Sequence, residues 1–292
     1  MLDNVASKRL SAYFARIEYG ASTAVAEETL RNVLLLQCWN VPFENIDIHL
    51  DRGVSLSTET LFRKLIGSLR GGYCYELNGL LHYILTTLGF HVSMLAGRTC
   101  VGGAGVPPKT HLLLLVEIRG RKWIADAAFG VHGLNTCIPL DAAGGVKYGN
   151  DTYRVVRERD PIYELQRLEA AGWLALYDFT LVPMESIDFE IMNYFHSTNP
   201  ASHFRNRVVV SRVGYCTRTL MLDLDLRKGH SGSPALVSIT DVAVFRETLL
   251  CEFQVDLNAE DAGKLFEAIV ARKQRKLQLK SYQTVRNVGR FV

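Results

Sequence analysis

Apolar residues recur every three or four positions along the first part of the chain, which is the spacing of amphipathic helices. Ser22 or Thr23 is expected to cap the second helix, and Pro42 lies where that helix must end. Gly89 is expected to end the last helix, because glycine is the usual residue beyond a helix C-terminus. The helices predicted in this part span 5–17, 24–37, 57–65 and 74–88.

From Phe90 onward the pattern changes to short apolar runs, several of them rich in β-branched residues. Loops that contain glycine or proline separate these runs, and each run has the length of a strand. The middle third is therefore expected to form a strongly bent sheet or a barrel. The strands predicted there span 92–98, 110–118, 122–127, 153–157 and 173–181.

The last third mixes helical and strand patterns. A helix is predicted over 183–194, and an amphipathic helix from Asn258 or Glu260 to Lys276. Helices followed by strands and then by a mixed region indicate an α+β fold rather than repeated βαβ units. The strands predicted in this part span 208–212, 217–222 and 237–242.

The composition is that of an ordinary globular protein, since 48% of the 292 residues are hydrophobic and 22% are charged. The formal net charge of +3 is too small to indicate a nucleic-acid-binding surface. Seven basic residues and no acidic residue lie between Arg272 and the end, so the rest of the chain carries 3 − 7 = −4. The basic end is expected to be a solvated helix, with contact to an anionic cofactor as the alternative.

Six cysteines are present without a C-x-x-C pair, so neither a zinc ribbon nor a thioredoxin motif is indicated and no metal site is expected. The N-terminus lacks the basic-then-apolar pattern of a signal peptide. No uncharged apolar run approaches the length of about 20 residues that spans a bilayer. We therefore expect a cytoplasmic protein with free thiols that binds neither membranes nor nucleic acid.

The segment from Arg70 to Gly79 has the features of a nucleophile site. Two glycines precede Cys74, which is expected to begin a helix. The free N–H groups and the positive dipole end of such a helix favour a thiolate and can stabilise an oxyanion. A turn followed by a buried thiol has the same pattern, so a catalytic reading also needs a base and an orienting acid.

His111 and Asp126 are the candidates for that base and that acid. His111 stands at the head of an apolar strand, and Asp126 lies inside another, where a charge is costly unless it is paired. A hairpin that turns at Gly120 places Asp126 within a few residues of His111 along the partner strand. With Cys74, these two residues predict a triad of the cysteine-protease type.

The motifs around these residues resemble those of the arylamine N-acetyltransferase family. The pattern Arg-Gly-Gly-x-Cys-x-Glu-x-Asn is met in full, as are Val-Pro-Phe-Glu-Asn-hydrophobic-Asp and Thr-His before an apolar run. The family's Asp-x-Gly-Phe-Gly is met with one departure, Ala128 in place of the first glycine. The matching stretches cover most of the chain and are 41–47, 70–78, 110–111, 126–130, 173–177 and 193–205.

This resemblance implies a papain- or transglutaminase-like core with an α/β lid. A helical domain over 1–89 would carry the nucleophile, and a β-barrel domain over 90–182 would carry the histidine and the aspartate. An interdomain helix over 183–200 would lead to the lid domain over 201–292.

The resemblance also implies the reaction. An acetyl group would pass from acetyl-CoA, the co-substrate, through a thioester on Cys74 to an arylamine, an arylhydroxylamine or a hydrazine. His111 would pair with Cys74 and move protons, and Asp126 would hold the imidazole. No permanently bound cofactor is implied, and we expect a monomer or a homodimer. The residues implied to contact substrates are Thr110 and Gly130 for the pantetheine arm of CoA, and Phe43, Phe129 and Phe204 for the acceptor.

Three other functions stay open on the residues alone. The first is an amide synthase that takes its acyl chain from a carrier protein, and the second is a hydrolase or transglutaminase; both would use the same triad. The third is a non-catalytic binding protein.

Two further residues carry expectations. Ala128 is expected to change the range of acyl donors or acceptors modestly, and Glu76 to pair with Arg70 or another buried base.

Overall fold

The computed structural model of the chain describes residues 4–101, 106–134, 136–215, 217–229 and 235–288. A π-helical turn over Phe62–Gly67 continues the fourth helix, and a 3₁₀ turn covers Gly130–His132. The α-helices are α1 Asn4–Ile17, α2 Glu27–Asn40, α3 Ile46–His49, α4 Thr58–Leu61, α5 Cys74–Thr87, α6 Ser186–Thr198, α7 His203–Asn206, α8 Val242–Phe253 and α9 Ala259–Val288.

The strands form a sheet of eight and a sheet of five. The larger sheet has the order β5-β4-β3-β2-β9-β8-β7-β6 and is nearly closed into a barrel, and the smaller has the order β1-β10-β11-β12-β13. The strands are β1 Phe43–Glu44, β2 His91–Thr99, β3 Lys109–Ile118, β4 Arg121–Ala125, β5 Ile138–Pro139, β6 Val146–Tyr148, β7 Asp151–Arg159, β8 Ile162–Glu169, β9 Gly172–Phe179, β10 Val209–Val213, β11 Arg218–Leu222, β12 Asp225–Gly229 and β13 Ala235–Ser238.

Strand β3 is apolar on both faces because it separates two cores. Leu112, Leu114 and Val116 pack into the core that contains α5, whereas Leu113 and Leu115 point into the barrel. Side chains alternate across a strand, so a strand buried on both faces reads as an unbroken apolar run. This position brings the head of β3 next to the start of α5.

Strand β1 joins the helical part of the chain to the C-terminal sheet. Phe43 and Glu44 pair with Ser211 and Val210 of β10 in antiparallel register. Its other side contacts the loop before α5, where the Glu44 N–H donates to the Gly72 carbonyl at 2.9 Å. The two residues of β1 therefore connect the nucleophile loop, the segment just before Cys74, to strand β10, which begins more than a hundred residues later in the chain.

The α+β class, the helical first part and the barrel-like middle are confirmed, with differences at element ends. Helix α2 begins at Glu27 with Ala26 as its N-cap and no side-chain cap, so the prediction of Ser22 or Thr23 is wrong. The predicted strand over 237–242 is half right: β13 ends at Ser238, and Val242 begins α8. There the side chain of Asp241 accepts from two N–H groups of the helix, which starts it within a β-branched run.

Among the residues that the structure describes, no helix has both the length and the apolar character needed to cross a bilayer. The cysteines at 38, 74, 100, 137 and 251 are free thiols, as expected. Cys216 lies outside the described residues.

Candidate active site

The loop before α5 is packed so closely that only glycine fits at its centre. A Cβ on Gly71 would lie 2.2 Å from the carbonyl oxygen of Pro42, which is backbone and does not yield. A Cβ on Gly72 would lie 2.7 Å from a carboxylate oxygen of Glu76. The two glycines thus let the chain turn tightly enough for Cys74 to be the first residue of the helix.

Glu76 fixes the start of α5. Its Oε2 accepts from the N–H of Tyr73 at 3.1 Å, and its Oε1 accepts from Nζ of Lys64 at 2.7 Å. The expected buried base is therefore Lys64, not Arg70. Lys64 also lies 2.9 Å from Asp47, so one ammonium group neutralises the buried carboxylate of Glu76 and the partly buried carboxylate of Asp47.

Arg70 holds the other side of the same loop. Both its Nε and Nη2 donate to Oε1 of Glu44, at 3.0 and 2.6 Å, and Nη2 lies 3.2 Å from Asp47. The second oxygen of Glu44 accepts from the N–H of Ile46 at 2.7 Å, so this fully buried carboxylate is satisfied. The ion pairs fix β1 against the nucleophile loop.

His111 and Asp126 are in direct contact. Nε2 of His111 lies 2.7 Å from Oδ2 of Asp126, and both residues are buried. Asp126 lies one residue beyond the end of β4 rather than inside the strand, and its Oδ1 accepts from the N–H of Ala128 and from the side-chain amide of Asn78. Because Nε2 is committed to the carboxylate, Nδ1 is the nitrogen left for another partner, and Cys74 is close enough to raise the pKa of the imidazole.

Asn78 connects the helix that carries Cys74 to the strand end that carries Asp126. Its Nδ2 donates to Oδ1 of Asp126 at 2.8 Å and to the carbonyl of Leu112 at 2.6 Å. Its Oδ1 accepts from the N–H of Ala127 at 2.9 Å. The sequence analysis assigned no role to Asn78, although its position one helical turn beyond Cys74 could have indicated one.

The electrostatics of the pair favour an imidazolium. Burial by itself lowers the pKa of His111, but the Asp126 carboxylate, and after it Cys74, raise that pKa to about 10. Burial raises the pKa of Asp126, whereas His111, Asn78 and the Ala128 N–H together hold it below its usual value. At neutral pH the site therefore holds a carboxylate and a protonated histidine beside the Cys74 sulfur.

The other buried thiols are poor nucleophiles. Burial raises the pKa of both Cys38 and Cys137 to about 12, so each stays protonated at neutral pH. Neither lies at the start of a helix next to a histidine. Among the described buried cysteines, Cys74 is thus the one placed for nucleophilic chemistry.

The three phenylalanines predicted to line an acceptor pocket fall into two aromatic groups. Phe129 packs its ring 4.9 Å from that of His111 and 4.9 Å from that of Tyr177. Phe43 and Phe204 contact each other, with ring centroids 6.0 Å apart. Aromatic walls of this kind suit a flat, apolar ring.

Phe204 is linked to the nucleophile helix through Tyr73, whose ring lies 5.5 Å away. Its backbone is held by Asn45, which donates to the Phe204 carbonyl at 3.0 Å and to the Arg207 carbonyl at 2.8 Å. Oδ1 of Asn45 accepts from the N–H of Val209 at 2.8 Å. The asparagine that follows β1 therefore positions an aromatic side chain 159 residues later in the chain.

Thr110 and Gly130 are the residues expected to contact CoA. In the chain, Thr110 directly precedes His111, and Gly130 directly follows Phe129. The Thr110 carbonyl accepts from the Tyr75 hydroxyl at 2.5 Å. Gly130 has a φ of +58°, which favours glycine, and a Cβ there would lie 3.6 Å from Oγ of Ser211. Oγ of Ser211 is buried without a hydrogen-bond partner among the described residues.

Arg218 fixes the turn that begins at Gly130. Its guanidinium donates to the carbonyls of Val131 and Gly133, and it forms an ion pair of 2.6 Å with Asp151. It also donates to the hydroxyl of Tyr153 at 2.5 Å. A turn held by its carbonyls keeps the backbone beside Phe129 in place.

Ala128, where the family motif has glycine, is buried and is not among the residues with positive φ. Its N–H donates to Oδ1 of Asp126 at 2.9 Å. The backbone therefore does not require glycine at this position, and the added methyl group acts through the space that it fills. Within the described part of the chain, no cluster of histidine, cysteine and acidic side chains has the arrangement of a metal site.

A profile of the family described as N-acetyltransferase matches residues 27–262. An arylamine N-acetyltransferase of Escherichia coli is 37% identical over 206 residues, which are 70% of this chain and 72% of that protein. The solved structure of the Salmonella typhimurium arylamine N-acetyltransferase superposes with a TM-score of 0.84 at 30% identity, covering 89% of this chain and 98% of that one. The Mycobacterium marinum arylamine N-acetyltransferase in complex with CoA superposes with a TM-score of 0.83, also at 30% identity and with the same coverage.

Proposed function

The chain belongs to the arylamine N-acetyltransferase family, an acyltransferase family, and on that premise we propose how its own residues act. Cys74, His111 and Asp126 form a catalytic triad. The triad transfers an acetyl group from acetyl-CoA to an arylamine, an arylhydroxylamine or a hydrazine in two half-reactions. The observation that carries this proposal is the buried contact of 2.7 Å between His111 and Asp126, with Cys74 close enough to raise the pKa of His111.

In the first half-reaction the Cys74 thiolate attacks the acetyl carbonyl of acetyl-CoA. A carbon–sulfur bond to Cys74 forms, the carbon–sulfur bond to CoA breaks, and the imidazolium of His111 gives its proton to the departing thiolate. Asp126 keeps the imidazole oriented throughout, because its Oδ2 stays hydrogen-bonded to Nε2. The products are free CoA, an acetylated Cys74 and a neutral His111.

In the second half-reaction the amine nitrogen attacks the thioester. A carbon–nitrogen bond forms, His111 takes a proton from the nitrogen, and Cys74 leaves as a thiolate. The ion pair of the first step is thereby restored. An aromatic amine is neutral at pH 7 and already nucleophilic, so one base in contact with the cysteine is sufficient.

The first turn of α5 stabilises the oxyanion in both half-reactions. The first N–H groups of a helix have no partner within the helix, and the helix dipole adds positive potential at the same place. Because Cys74 is the first residue of α5, a carbonyl carbon bound to its sulfur lies next to these groups. No side-chain donor is needed for this part of the reaction.

The backbone at Gly130 and the hydroxyl of Ser211 are features that suit an extended, amide-containing chain such as pantetheine. Gly130 offers a backbone surface without a side chain, and Ser211 offers a buried hydroxyl that has no partner among the described residues. A hydroxyl in that position is satisfied when an amide of the co-substrate passes it. Thr110 and Gly130 are the residues that we assign to the pantetheine arm, and Phe43, Phe129 and Phe204 to the acceptor ring.

Half-reaction kinetics test the proposal. Acetyl-CoA without an acceptor should release one equivalent of CoA per active site and then stop or proceed slowly. Initial rates measured against both substrates should give parallel double-reciprocal lines, as a ping-pong reaction requires. Intersecting lines, or continuous CoA release at the full rate without an amine, would exclude the proposed two-step transfer.

A further inference from the structure

A cavity of about 390 Å³ lies where the helical part of the chain meets the link between α8 and α9. Its walls come from α3 and the segment after it, from α4 with the π-helical turn that continues it, and from residues at 256–261. Neither the triad nor a residue assigned to CoA or to the acceptor is among the described residues that line this cavity. Its size is typical of a small-molecule site, and the acetyl transfer makes no use of it.

The walls of the cavity are polar. Leu257 is the one apolar side chain among the described lining residues, and the others carry charges, hydroxyl groups, an amide or, at Gly53, no side chain. A site for an aromatic ring or an acyl chain has mostly apolar walls. The composition therefore favours a small polar occupant rather than an arylamine.

Three carboxylates line the cavity, and each already has a basic partner. The ion pairs are Asp47 with Lys64 at 2.9 Å, Asp261 with Arg52 at 2.6 Å and Asp256 with Arg246 at 3.7 Å. A cation that entered the cavity would have to compete with these bases for oxygens already in use. The carboxylates therefore do not indicate a cation site.

Two arginines in the walls keep N–H donors that no acceptor uses. Arg63 is exposed and forms no ion pair within the described part of the chain, and its one side-chain hydrogen bond is a long one of 3.4 Å to Oγ1 of Thr60. Arg70 is buried, and its Nε and Nη2 donate to Glu44 and Asp47. Its Nη1 makes no hydrogen bond among the described residues. The cavity thus has spare donors and an unbalanced positive charge at Arg63.

Backbone hydrogen bonds hold both arginines and a free hydroxyl on one tight segment. The Ser68 N–H donates to the Arg63 carbonyl at 2.8 Å, and the Arg70 N–H donates to the carbonyl at position 64 at 3.1 Å. Oγ of Ser68, which also lines the cavity, makes no hydrogen bond among the described residues. The segment includes the π-helical turn Phe62–Gly67, and π-helical turns are rare and occur frequently at functional sites.

We infer that this cavity is a separate binding site for the phosphate group of a small polar molecule. A phosphate monoester presents three terminal acceptor oxygens, and Arg63, Nη1 of Arg70 and Oγ of Ser68 are three donor groups for them. Arginine suits this anion because its planar guanidinium donates two parallel hydrogen bonds to phosphate oxygens. Arg70 also holds the nucleophile loop through Glu44, so an occupant of the cavity contacts a residue that supports Cys74.

The test measures the binding of glycerol 3-phosphate and of inorganic phosphate by titration calorimetry at constant ionic strength, with glycerol as the uncharged control. The native protein is compared with Arg63→Gln, which removes the unbalanced charge, and with Ser68→Asp, which places a negative charge in the cavity. Both residues are exposed, so neither substitution disturbs the core. The matched control is Arg119→Gln, because Arg119 is exposed in the turn between β3 and β4 and does not line the cavity.

We expect each phosphate probe to bind saturably at one site per chain, and glycerol not to bind. Arg63→Gln should weaken the affinity about 10- to 100-fold, the worth of a hydrogen bond to a charged group. Ser68→Asp should also weaken it, through repulsion between like charges, and Arg119→Gln should leave it unchanged. Tighter binding of the ester would identify an organic phosphate as the occupant, whereas equal or tighter binding of inorganic phosphate would identify the free anion.

Three results overturn the inference. The first is the absence of saturable binding of both probes to the folded native protein at millimolar concentrations. The second is an equal affinity in the native protein, Arg63→Gln and Ser68→Asp. The third is loss of phosphate binding when CoA saturates the protein, which would assign the anion to the co-substrate site. Acetylation of Cys74 by acetyl-CoA alone, measured in parallel, tests the proposed acetyl transfer independently of this cavity.

Discussion

Asn78 donates a hydrogen bond of 2.8 Å to Oδ1 of Asp126, and through it the helix that begins at Cys74 is fixed to the acid that follows β4. The same amide also holds the Leu112 carbonyl and the Ala127 N–H. The three contacts set the position of α5 against β3 and β4. The geometry of the catalytic residues thus depends on an asparagine that does not touch the reacting atoms.

Replacing Asn78 with alanine should impair both stability and reactivity. Two buried backbone groups lose their partner, which costs about 2–5 kcal/mol of unfolding free energy, measured by urea denaturation. Acetylation of Cys74 should slow about 10- to 100-fold, because a hydrogen bond to a charged group contributes about 1.5–3 kcal/mol.

The control for this prediction is Asn40→Ala. Asn40 donates to two backbone carbonyls, those of Ile17 and Leu36, away from the site. It should lose stability without slowing the acetylation of the folded protein. Equal slowing in both variants would show that Asn78 acts only through stability.

The imidazole of His111 should titrate near pH 10 and not near its usual value of 6.5. Because the folded-state pKa is raised, the stability that this proton contributes is complete below pH 6.5 and is lost as the pH rises through 10. In Asp126→Asn the midpoint should move down, since the carboxylate is the main cause of the increase. NMR of ring-labelled histidine measures both midpoints, and equal midpoints would contradict the assigned ion pair.

Lys64→Met should be strongly destabilising, although the residue lies outside the reacting centre. It leaves the carboxylates of Glu76 and Asp47 without their shared ammonium, and breaking a buried pair costs about 3–5 kcal/mol. Lys264 forms an ion pair with Glu260 on the exposed face of α9, so Lys264→Met should cause no measurable loss. A loss in Lys64→Met no larger than in Lys264→Met would contradict this account of the nucleophile loop.

Ala128→Gly should widen the range of acyl donors. The added space next to Asp126 should raise kcat/KM for propionyl-CoA relative to acetyl-CoA by about tenfold, the low end of the effect of one methylene group in an apolar pocket. Ala142→Gly, a buried alanine in the barrel core, controls for general loosening. Kinetics unchanged for every acyl-CoA and amine tested would show that Ala128 has no part in specificity.

Local patterns in the sequence predicted the elements that carry the chemistry. The glycines before Cys74 and the apolar period after it fixed the start of α5, and the turn at Gly120 brought Asp126 towards His111. The strand predicted up to Val242 failed because the β-branched run continues past Asp241, which caps a helix. Strand β8 was not predicted, because Glu164, Gln166 and Arg167 interrupt its apolar residues and leave no apolar run.

The long-range contacts of the site were not predictable from local patterns. Phe43, Phe129 and Phe204 lie in strand β1, in the loop after β4 and in helix α7, and no spacing indicates that they divide into two aromatic groups. The link from Asn45 to Phe204 likewise depends on how β1 pairs with β10. Such contacts are set by how elements distant in the sequence pack together and appear only in the folded chain.

The central claim is that Cys74 carries the acetyl group. Intact-mass analysis after mixing the protein with acetyl-CoA alone tests it most directly, followed by peptide mapping to locate the modification. The account predicts a gain of one acetyl group on Cys74, absent in Cys74→Ser and removed when an arylamine is added. No mass gain in the folded native protein, or an acetyl group located on another residue, would contradict it.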